Sequence, residues 1–512
     1  MLIPVQIRKG RIDMRDLIAK QNFTDEELKT FKNNSSWSCD TFVIMPDVSE
    51  EEATILSKNS DRVEYDAQPL MYYPKKTYGP NEKLKLGNVT IGQVEETYEH
   101  IGSSPYWCWG YEEGINVHGV AIGNEAIFTK DVAEKMQAVK DGENVEYGII
   151  GMEFIRLGLE RAKSAREAVN VITSLLAEYG QFSSGNPAVQ PEDGAYDNSF
   201  IIADKDESYV LETVGKHFMA KRISKGTKAI SNEPSIRTEW DLASDGIIDY
   251  AIEKRWWKEE RRSEFDFAKA FLDFEKPLQL SHIRVQRMKQ LLKEGLDNNQ
   301  AESVYLGQDG LCVTIMKILF LEGPYMNAAL PDFLTVCMHH SPAEFTWGNT
   351  ASSSQFILPK EKDRFPVMWW LAGVPCTGVY IPFYPEAGPI NPILSKAGAY
   401  GKHAMAPQDA EIDTYKDDSF WWIMRDLLET AKGDAYGGKF NIRQPIIREV
   451  YNDLERKWLL EAKIIEEKAM NLKRENGEGY KQVLSEFTNK CVTEALKTTK
   501  KTKDYYPRSV NF

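Results

Sequence analysis

Cys39 is the residue of this sequence best suited to covalent chemistry, and its partners are not obvious. It lies in the stretch SSWSCDTFVIMPDVSEEEATILSKNSDR, residues 35–62, and no histidine precedes His100. A cysteine nucleophile needs a proton acceptor, which in many enzymes is a histidine. If Cys39 is catalytic, its base must therefore be of another kind. The alternative is a small buried strand residue without a chemical role.

The pairing of two short strands brings candidate partners to Cys39. CDTFVIM and ATILSK have the composition of strands, and the turn-rich PDVSEEE separates them. In an antiparallel hairpin around that turn, the numbers of facing residues sum to roughly 98–100. Cys39 then faces residues 59–61, and the return strand delivers Lys58 and Asp61 to its neighbourhood.

A cut between Ser38 and Cys39 would supply the missing base. Cys39 would then carry a free α-amine, whose ordinary pKa of about 7.7–8.0 lets it accept the thiol proton near neutral pH. Asp61 would orient the ammonium form of this amine. A cation such as Lys58 or Arg62 would favour the thiolate.

Other cysteines and histidines do not form a metal site by their spacing. The six cysteines are far apart, and no pair has the CxxC spacing of zinc and redox motifs. His339 and His340 are adjacent, so on a strand they would point to opposite faces. We therefore expect neither a metal nor any other cofactor.

The order of elements along the chain indicates the fold class. Strands broken by glycines occupy residues 113–128, and two helices, EYGIIGMEFIRLGLERA and SAREAVNVITSLLAEYG, follow them. Ser164 and Glu167 form a capping box for the second helix, which Gly180 ends. Four short strands then form a meander. This order predicts an α+β or layered fold with antiparallel sheets, followed by a second β block at 335–385 and C-terminal helices.

Composition excludes several classes of function. The chain has 512 residues, 42% of them hydrophobic, and a formal net charge of −14. An acidic chain is repelled by nucleic acid and by anionic membrane surfaces, so neither is an expected partner. No apolar stretch is long enough to span a bilayer, and the N-terminus lacks the apolar core of a secretory signal. The expected location is the cytoplasm.

Several motifs resemble one known family. SCDTFV followed by SKNSDR is similar to the secernins and related bacterial dipeptidases, which are N-terminal nucleophile (Ntn) hydrolases with a cysteine nucleophile. The resemblance continues through WGYEEGINVHGVAIGNEAIFTK, DNSFIIADKDESYVLET, AISNEP, TVCMHHSP and PCTGVYIPFY. It implies a four-layer αββα sandwich and hydrolysis of dipeptides or other small linear amides. It also predicts an N-terminal extension or propeptide at 1–38, the hydrolase domain at 39–430 and a helical region at 431–512.

The same resemblance assigns roles to individual residues. SNEP is similar to the segment whose asparagine donates to the oxyanion, and SHIRVQR to a segment with a late active-site arginine. For a further oxyanion or substrate contact Asn124 is preferred to Asn116, and for the arginine Arg284 is preferred to Arg287. The predicted catalytic residues are Cys39, Asp61, Asn232, Lys58, Asn124 and Arg284.

Two other functions fit the same motifs. The 38 residues before Cys39 are longer than in many relatives, and if they stay attached the α-amine is not available. The chain would then be a secernin-like protein that works through binding. The same machinery would also support acyl transfer to an amine. A homo-oligomer is compatible with each of these functions.

Overall fold

The computed structural model describes residues 39–49, 51–62, 66–274, 281–297, 337, 349–398, 405–433, 438–475 and 477–506. Within these residues the chain forms two large antiparallel sheets and a set of helices. The predicted extension at 1–38 and the pair His339–His340 lie outside the described residues. The domain boundaries at 38 and 430 stay predictions.

Eighteen strands are described, and they are numbered here in chain order. They are β1 Asp40–Ile44, β2 Ala53–Arg62, β3 Leu70–Tyr73, β4 Lys76–Thr77, β5 Lys83–Lys85, β6 Thr90–Gly92, β7 Glu96–Thr97, β8 His100–Ser103, β9 Glu113–Asn116, β10 Ala121–Ile127, β11 Asp197–Ala203, β12 Ser208–Val214, β13 His217–Ile223, β14 Thr227–Ile230, β15 Leu242–Ala243, β16 Asn349–Pro359, β17 Val367–Ala372 and β18 Ile381–Phe383.

Ten α-helices and four short 3-10 helices are described. The α-helices are α1 Lys130–Lys140, α2 Gly151–Arg161, α3 Ala165–Tyr179, α4 Pro191–Gly194, α5 Ile247–Glu253, α6 Phe267–Phe271, α7 Ser281–Asp297, α8 Phe420–Lys432, α9 Phe440–Arg474 and α10 Gly479–Tyr505. The 3-10 helices are Glu259–Glu264, Pro385–Ala387, Pro392–Ser395 and Pro407–Asp409.

The two large sheets stack face to face. One has six strands in the order β14-β1-β2-β16-β17-β18, and the other has eight in the order β15-β13-β12-β11-β10-β9-β8-β3. Strands β1 and β2 of the smaller sheet lie against β10 and β11 of the larger one. Apolar side chains of both sheets, among them Val43, Leu56 and Ile201, fill the space between them in one core.

Helices cover the outer faces of both sheets. Helices α2 and α3 pack on the eight-stranded sheet through a second apolar core that contains Phe154, Ile172 and Leu176. On the six-stranded sheet, α7 packs on β14 and β1, and α8 and α10 pack on β17 and β18. The layers therefore follow the order α, β, β, α, which confirms the predicted α+β four-layer sandwich.

Local signals fix the ends of α3, the second helix on the larger sheet. Ser164 Oγ accepts from the Glu167 backbone N–H at 3.2 Å, and α3 ends at Gly180 with φ of +69°. That left-handed conformation is one that glycine adopts at little cost. The predicted start and end of this helix are confirmed.

Within the described residues, none of the helices combines the length and apolar character that crossing a membrane requires.

Candidate active site

The β1–β2 hairpin brings Cys39 and Asp61 into contact. Asp40 pairs with Asn59 and Thr41 with Lys58, which is the predicted register. The Asp61 backbone N–H donates to Cys39 Sγ at 3.3 Å. The thiol is buried, with the residue 4% exposed. The sulfur atom is therefore held at the start of β1, between the two sheets and against the end of β2.

Arg284 connects three residues at the start of β1. Its Nη1 donates to the Cys39 carbonyl oxygen at 3.1 Å and to Asp40 Oδ2 at 2.6 Å, and its Nη2 donates to Asn232 Oδ1 at 2.8 Å. The guanidinium is fully buried at the N-terminal end of α7. Burial opposes its charge, but the neighbouring Asp40 carboxylate raises the pKa of Arg284, so the cation persists.

Asn232 has its amide orientation set by two neighbours. Its Oδ1 accepts from Arg284, and its Nδ2 donates to the Ala126 carbonyl oxygen at 2.9 Å. A guanidinium has no acceptor, so the oxygen of the amide must face it. Nδ2 carries a second hydrogen, and this nitrogen is the atom that can serve an oxyanion. Arg284 thus decides which end of the Asn232 amide acts as a donor.

Thr350 holds the carboxylate of Asp61. Its Oγ1 donates to Asp61 Oδ1 at 2.6 Å. The two residues face each other across β16 and β2, where the register shifts between Thr350 and Ser352. A bulge of this kind re-aims side chains locally. Here it accompanies the contact that restrains the Asp61 carboxylate beside Cys39.

Lys58 is a buried cation surrounded by acidic groups. Its Nζ donates to the Asn124 carbonyl oxygen and lies 3.6 Å from Glu112 Oε2 and 3.7 Å from Glu125 Oε2. Burial opposes the charge, but Cys39 and the two carboxylates raise the pKa of Lys58. Lys58 therefore acts as a fixed charge and not as a base.

Gly123 makes room for the Lys58 side chain. A Cβ atom at Gly123 would lie 2.9 Å from Lys58 Cδ, closer than carbon atoms approach without displacement. The absence of a side chain lets the lysine stem lie directly on β10. This strand therefore permits the close approach of the two sheets beside Cys39.

The environment keeps the thiol of Cys39 protonated. Burial raises its pKa well above the ordinary value, Lys58 opposes this, and Glu112, Glu125 and Asp61 add to it. No histidine is among these described electrostatic partners. The thiol needs a proton acceptor before it can attack a carbonyl.

The predicted Asn124 and its alternative Asn116 have other contacts. Asn124 Nδ2 donates to Asn198 Oδ1 at 2.9 Å and lies beside Gly151 at the start of α2, so its side chain points away from the space between the sheets. Asn116 Nδ2 donates to the carbonyl oxygens of Leu159 and Ala162 at the end of α2. The structure brings neither amide to Cys39, because consecutive residues of β10 alternate between faces. The Arg287 side chain lies outside the described part of the chain.

Four residues around Cys39 were not identified from the sequence. Asp40 pairs with Arg284 from a position 244 residues away in the chain, and Thr350 is separated from Asp61 by 289 residues. Glu125 lies in the eight-stranded sheet and Glu112 directly before strand β9 of that sheet, whereas Lys58 lies in the six-stranded sheet. One signal was available, since Asp40 and Glu125 are charged residues within apolar strand segments, where burial requires a partner.

Glu113 gives the site a testable pH dependence. Its Oε1 accepts from Ser352 Oγ at 2.6 Å and from Ser354 Oγ at 2.9 Å. Burial raises its pKa from 4.5 to about 7, although Lys58 and the two serines oppose the shift. The folded chain thus binds this proton more tightly than the unfolded chain. Stability from this group is present below pH 4.5 and is lost as the pH rises to about 7.

We expect Glu113→Gln to remove the loss of stability that accompanies ionisation of Glu113, because glutamine keeps the acceptor oxygen and cannot ionise. The free energy of unfolding of the variant relative to wild type should rise by about 1–3 kcal/mol between pH 5 and pH 8. Urea unfolding at both pH values measures the change. Glu239→Gln, at an 84% exposed side chain, is the control and should show no such trend. An equal difference at both pH values for Glu113→Gln would contradict the assignment.

Comparisons with known proteins relate the chain to one family of peptidases. The model of peptidase family C69 matches residues 38–300. A protein of Bifidobacterium longum named dipeptidase is 27% identical over 201 residues, which span 36% of this chain and 35% of that protein. The chain thus matches about a third of the length of this curated relative.

Two solved structures are also similar. A mutant conjugated bile acid hydrolase from Clostridium perfringens is 13% identical, with a TM-score of 0.35, over 75% of this chain and 98% of that chain. A Caenorhabditis elegans orthologue of N-acylethanolamine-hydrolyzing acid amidase is 12% identical, with a TM-score of 0.28, over 64% of this chain and 94% of that chain. Both TM-scores are below 0.5, so the fold is assigned from the sheets and helices described above. The family match starts directly before the buried thiol and extends over more than half of the chain, and the protein belongs to peptidase family C69.

Proposed function

We propose that this chain is a cysteine-type dipeptidase that uses Cys39 as an N-terminal nucleophile. The observation that supports this most strongly is that Asp61 and Arg284 both contact one buried cysteine, and that Arg284 also holds Asn232. These residues come from β2, the segment after β14 and α7, so four separate parts of the chain meet at the start of β1. A structural cysteine needs no such set of polar neighbours.

The proposed reaction begins with removal of the residues before Cys39. Cleavage of the Ser38–Cys39 bond gives Cys39 a free α-amine, which takes the thiol proton. Asp61, restrained by Thr350, orients the resulting ammonium group. The charge of Lys58 partly offsets the effect of burial and makes the thiolate more accessible. This division of roles requires no histidine.

The thiolate then attacks the carbonyl carbon of the substrate amide. Asn232 Nδ2 donates to the oxyanion of the tetrahedral intermediate, and one such donor typically contributes about 10²–10³ in rate. The ammonium group of Cys39 gives its proton to the leaving amine, and a thioester remains. Water, deprotonated by the α-amine, hydrolyses the thioester and restores the thiol. Arg284 positions Asn232 and the Cys39 carbonyl group throughout.

Dipeptides are the proposed substrates because the family and its curated relative are named for peptide hydrolysis. A cytoplasmic location stays a prediction. The competing functions are a binding protein without catalysis and an acyltransferase. The three functions differ in the fate of a thioester on Cys39. A binding protein forms no thioester, a hydrolase transfers the acyl group to water, and an acyltransferase transfers it to an amine.

A panel of dipeptides tests the proposal. We expect the purified protein to release free amino acids from several unblocked dipeptides, detected by liquid chromatography with mass spectrometry. Added hydroxylamine should convert the Cys39 thioester to a hydroxamate, which distinguishes catalysis from binding alone. With an amino acid amide as acceptor, the ratio of peptide product to free acid distinguishes acyl transfer from hydrolysis. Edman sequencing of the same preparation shows whether the chain begins at Cys39. A protein that begins at Cys39 and cleaves no member of the panel would overturn the dipeptidase assignment.

A further inference from the structure

The long helix α9 carries an apolar stripe on its exposed face. Ile442, Ile446, Leu460 and Ile464 are 65%, 51%, 70% and 67% exposed. Ile442 and Leu460 are separated by five full helical turns, and so are Ile446 and Ile464. Ile446 follows Ile442 by about one turn, so all four share one side of the helix. Single exposed apolar residues are common, but a stripe of four indicates an interaction surface.

The opposite face of α9 already has its partners. Ile447, Tyr451 and Trp458 are buried there, and the helix packs along α10. The helix is therefore apolar on two sides, whereas a surface helix normally has one apolar face. Packing within the chain accounts for the buried side and leaves the exposed stripe without a partner in the described residues.

The stripe is symmetric about Asp453. Ile442 precedes and Ile464 follows this residue by equal distances in the sequence, and the same holds for Ile446 and Leu460. A two-fold axis at Asp453 would place a second α9 antiparallel to the first. Ile442 would then lie opposite Ile464 of the second copy, and Ile446 opposite Leu460 of the second copy. Such self-complementarity is what an isologous dimer requires.

The charges in the middle of the stripe fit the same arrangement. Arg456 Nη2 lies 2.9 Å from Glu449 Oε1 and 2.6 Å from Asp453 Oδ1 on its own helix. Glu449 and Arg456 lie on one flank, about one turn before and one turn after the proposed axis. Reversal of the second helix brings each Arg456 beside Glu449 and Asp453 of the other copy. The two Asp453 carboxylates at the axis are thereby each accompanied by a guanidinium.

We propose that the exposed face of α9 is a homodimer interface, formed by antiparallel pairing of two copies about Asp453. An unrelated partner would not require equal spacing on both sides of one residue. The proposal does not depend on the proposed function, since α9 contributes none of the residues in contact with Cys39.

The dimensions of the stripe indicate a small interface. From Ile442 to Ile464 it is about 33 Å long, and half of a helix circumference is about 16 Å, so each copy buries on the order of 500 Å². The total of about 1,000 Å² is at the low end for specific complexes. We therefore expect a dissociation constant in the micromolar range.

Sedimentation velocity of the full chain tests the proposal over about 0.5–100 µM. Wild type should change from monomer to dimer across this range. Ile446→Glu combined with Leu460→Glu places charges at four apolar positions of each dimer, and the dissociation constant should rise at least about 100-fold. Ile412→Glu, at an isoleucine that is 40% exposed and outside the helix, is the matched control and should dimerise like wild type.

Crosslinking tests the position of the axis. Helices pack about 8–10 Å apart, so a bismaleimide of that span should join two chains that carry Asp453→Cys. Ile442→Cys alone should not crosslink, whereas mixing Ile442→Cys with Ile464→Cys chains should. A wild type that stays monomeric at 100 µM would overturn the proposal. So would a dimer that persists in the Ile446→Glu, Leu460→Glu variant, or crosslinking of Ile442→Cys with itself.

Discussion

Cys39→Ala is expected to lower kcat/KM for dipeptides by at least about 10⁴-fold while the protein stays folded. The substitution removes the sulfur that forms the thioester, and the remaining oxyanion donor and substrate contacts cannot replace a nucleophile. The same variant should retain the residues before Cys39, because self-cleavage uses the same thiol. Intact-mass measurement and a dipeptide assay on wild type and variant measure both effects together.

Cys108→Ala is the matched control for this experiment. Both cysteines are buried, and each sulfur accepts from a backbone N–H, at 3.3 Å from Asp61 for Cys39 and at 3.1 Å from Gly110 for Cys108. The two alanine substitutions therefore remove similar packing. They differ in that Arg284 donates to the carbonyl oxygen of Cys39 and not to that of Cys108. Cys108→Ala should keep activity per folded molecule within a few-fold of wild type. Equal activity of Cys39→Ala and wild type would exclude the proposed nucleophile.

Arg284→Met is expected to reduce both stability and catalysis. Methionine fills part of the volume but leaves the buried Asp40 carboxylate without its guanidinium. Breaking a buried ion pair in this way typically costs about 3–5 kcal/mol. The Asn232 amide also loses the contact that sets its orientation. We expect kcat to fall about 100-fold with a smaller change in KM, because an oxyanion donor acts mainly in the transition state.

The pH dependence of the Arg284→Met variant provides a signature of the lost pair. Burial raises the pKa of Asp40 from 3.8 to about 6 even though Arg284 opposes the shift. Without the arginine this folded-state pKa rises further, so the folded state binds a proton over a wider pH range. Protonation of Asp40 contributes to the free energy of unfolding at low pH. This contribution is lost as the pH rises through the folded-state pKa. The free energy of unfolding of Arg284→Met should therefore fall further below that of wild type at pH 8 than at pH 5, as urea unfolding at both pH values measures.

Two further variants separate the structural effect from the catalytic one. Arg448→Met removes another buried arginine, which pairs with Glu455 at 2.6 Å on α9, and should lower stability without changing kcat per folded molecule. Asp40→Asn combined with Arg284→Met removes both charges and should recover much of the stability but not the activity. Full activity of the folded Arg284→Met protein would rule out the positioning role.

The sequence predicted the parts of the site that depend on local pairing. Cys39, Lys58 and Asp61 lie within one hairpin, and the turn length sets which residues face each other. The register of Asp40 with Asn59 follows from that length alone. Helix α3 was predictable for a similar reason, since Ser164 and Gly180 act within a few residues of its ends.

The contacts between distant segments were decided by the tertiary structure. Arg284 and Asn232 were proposed from resemblance, but only the packing of α7 against β14 and β1 shows that one guanidinium joins Asn232 to Cys39 and Asp40. Asn124 shows most clearly what could not be predicted from the sequence. The resemblance suggested that it contacts the oxyanion or the substrate, yet the pleat of β10 turns its amide towards Asn198. Local chain geometry determines which residues share a hairpin, whereas the stacking of two sheets and a helix determines which side chains reach the thiol.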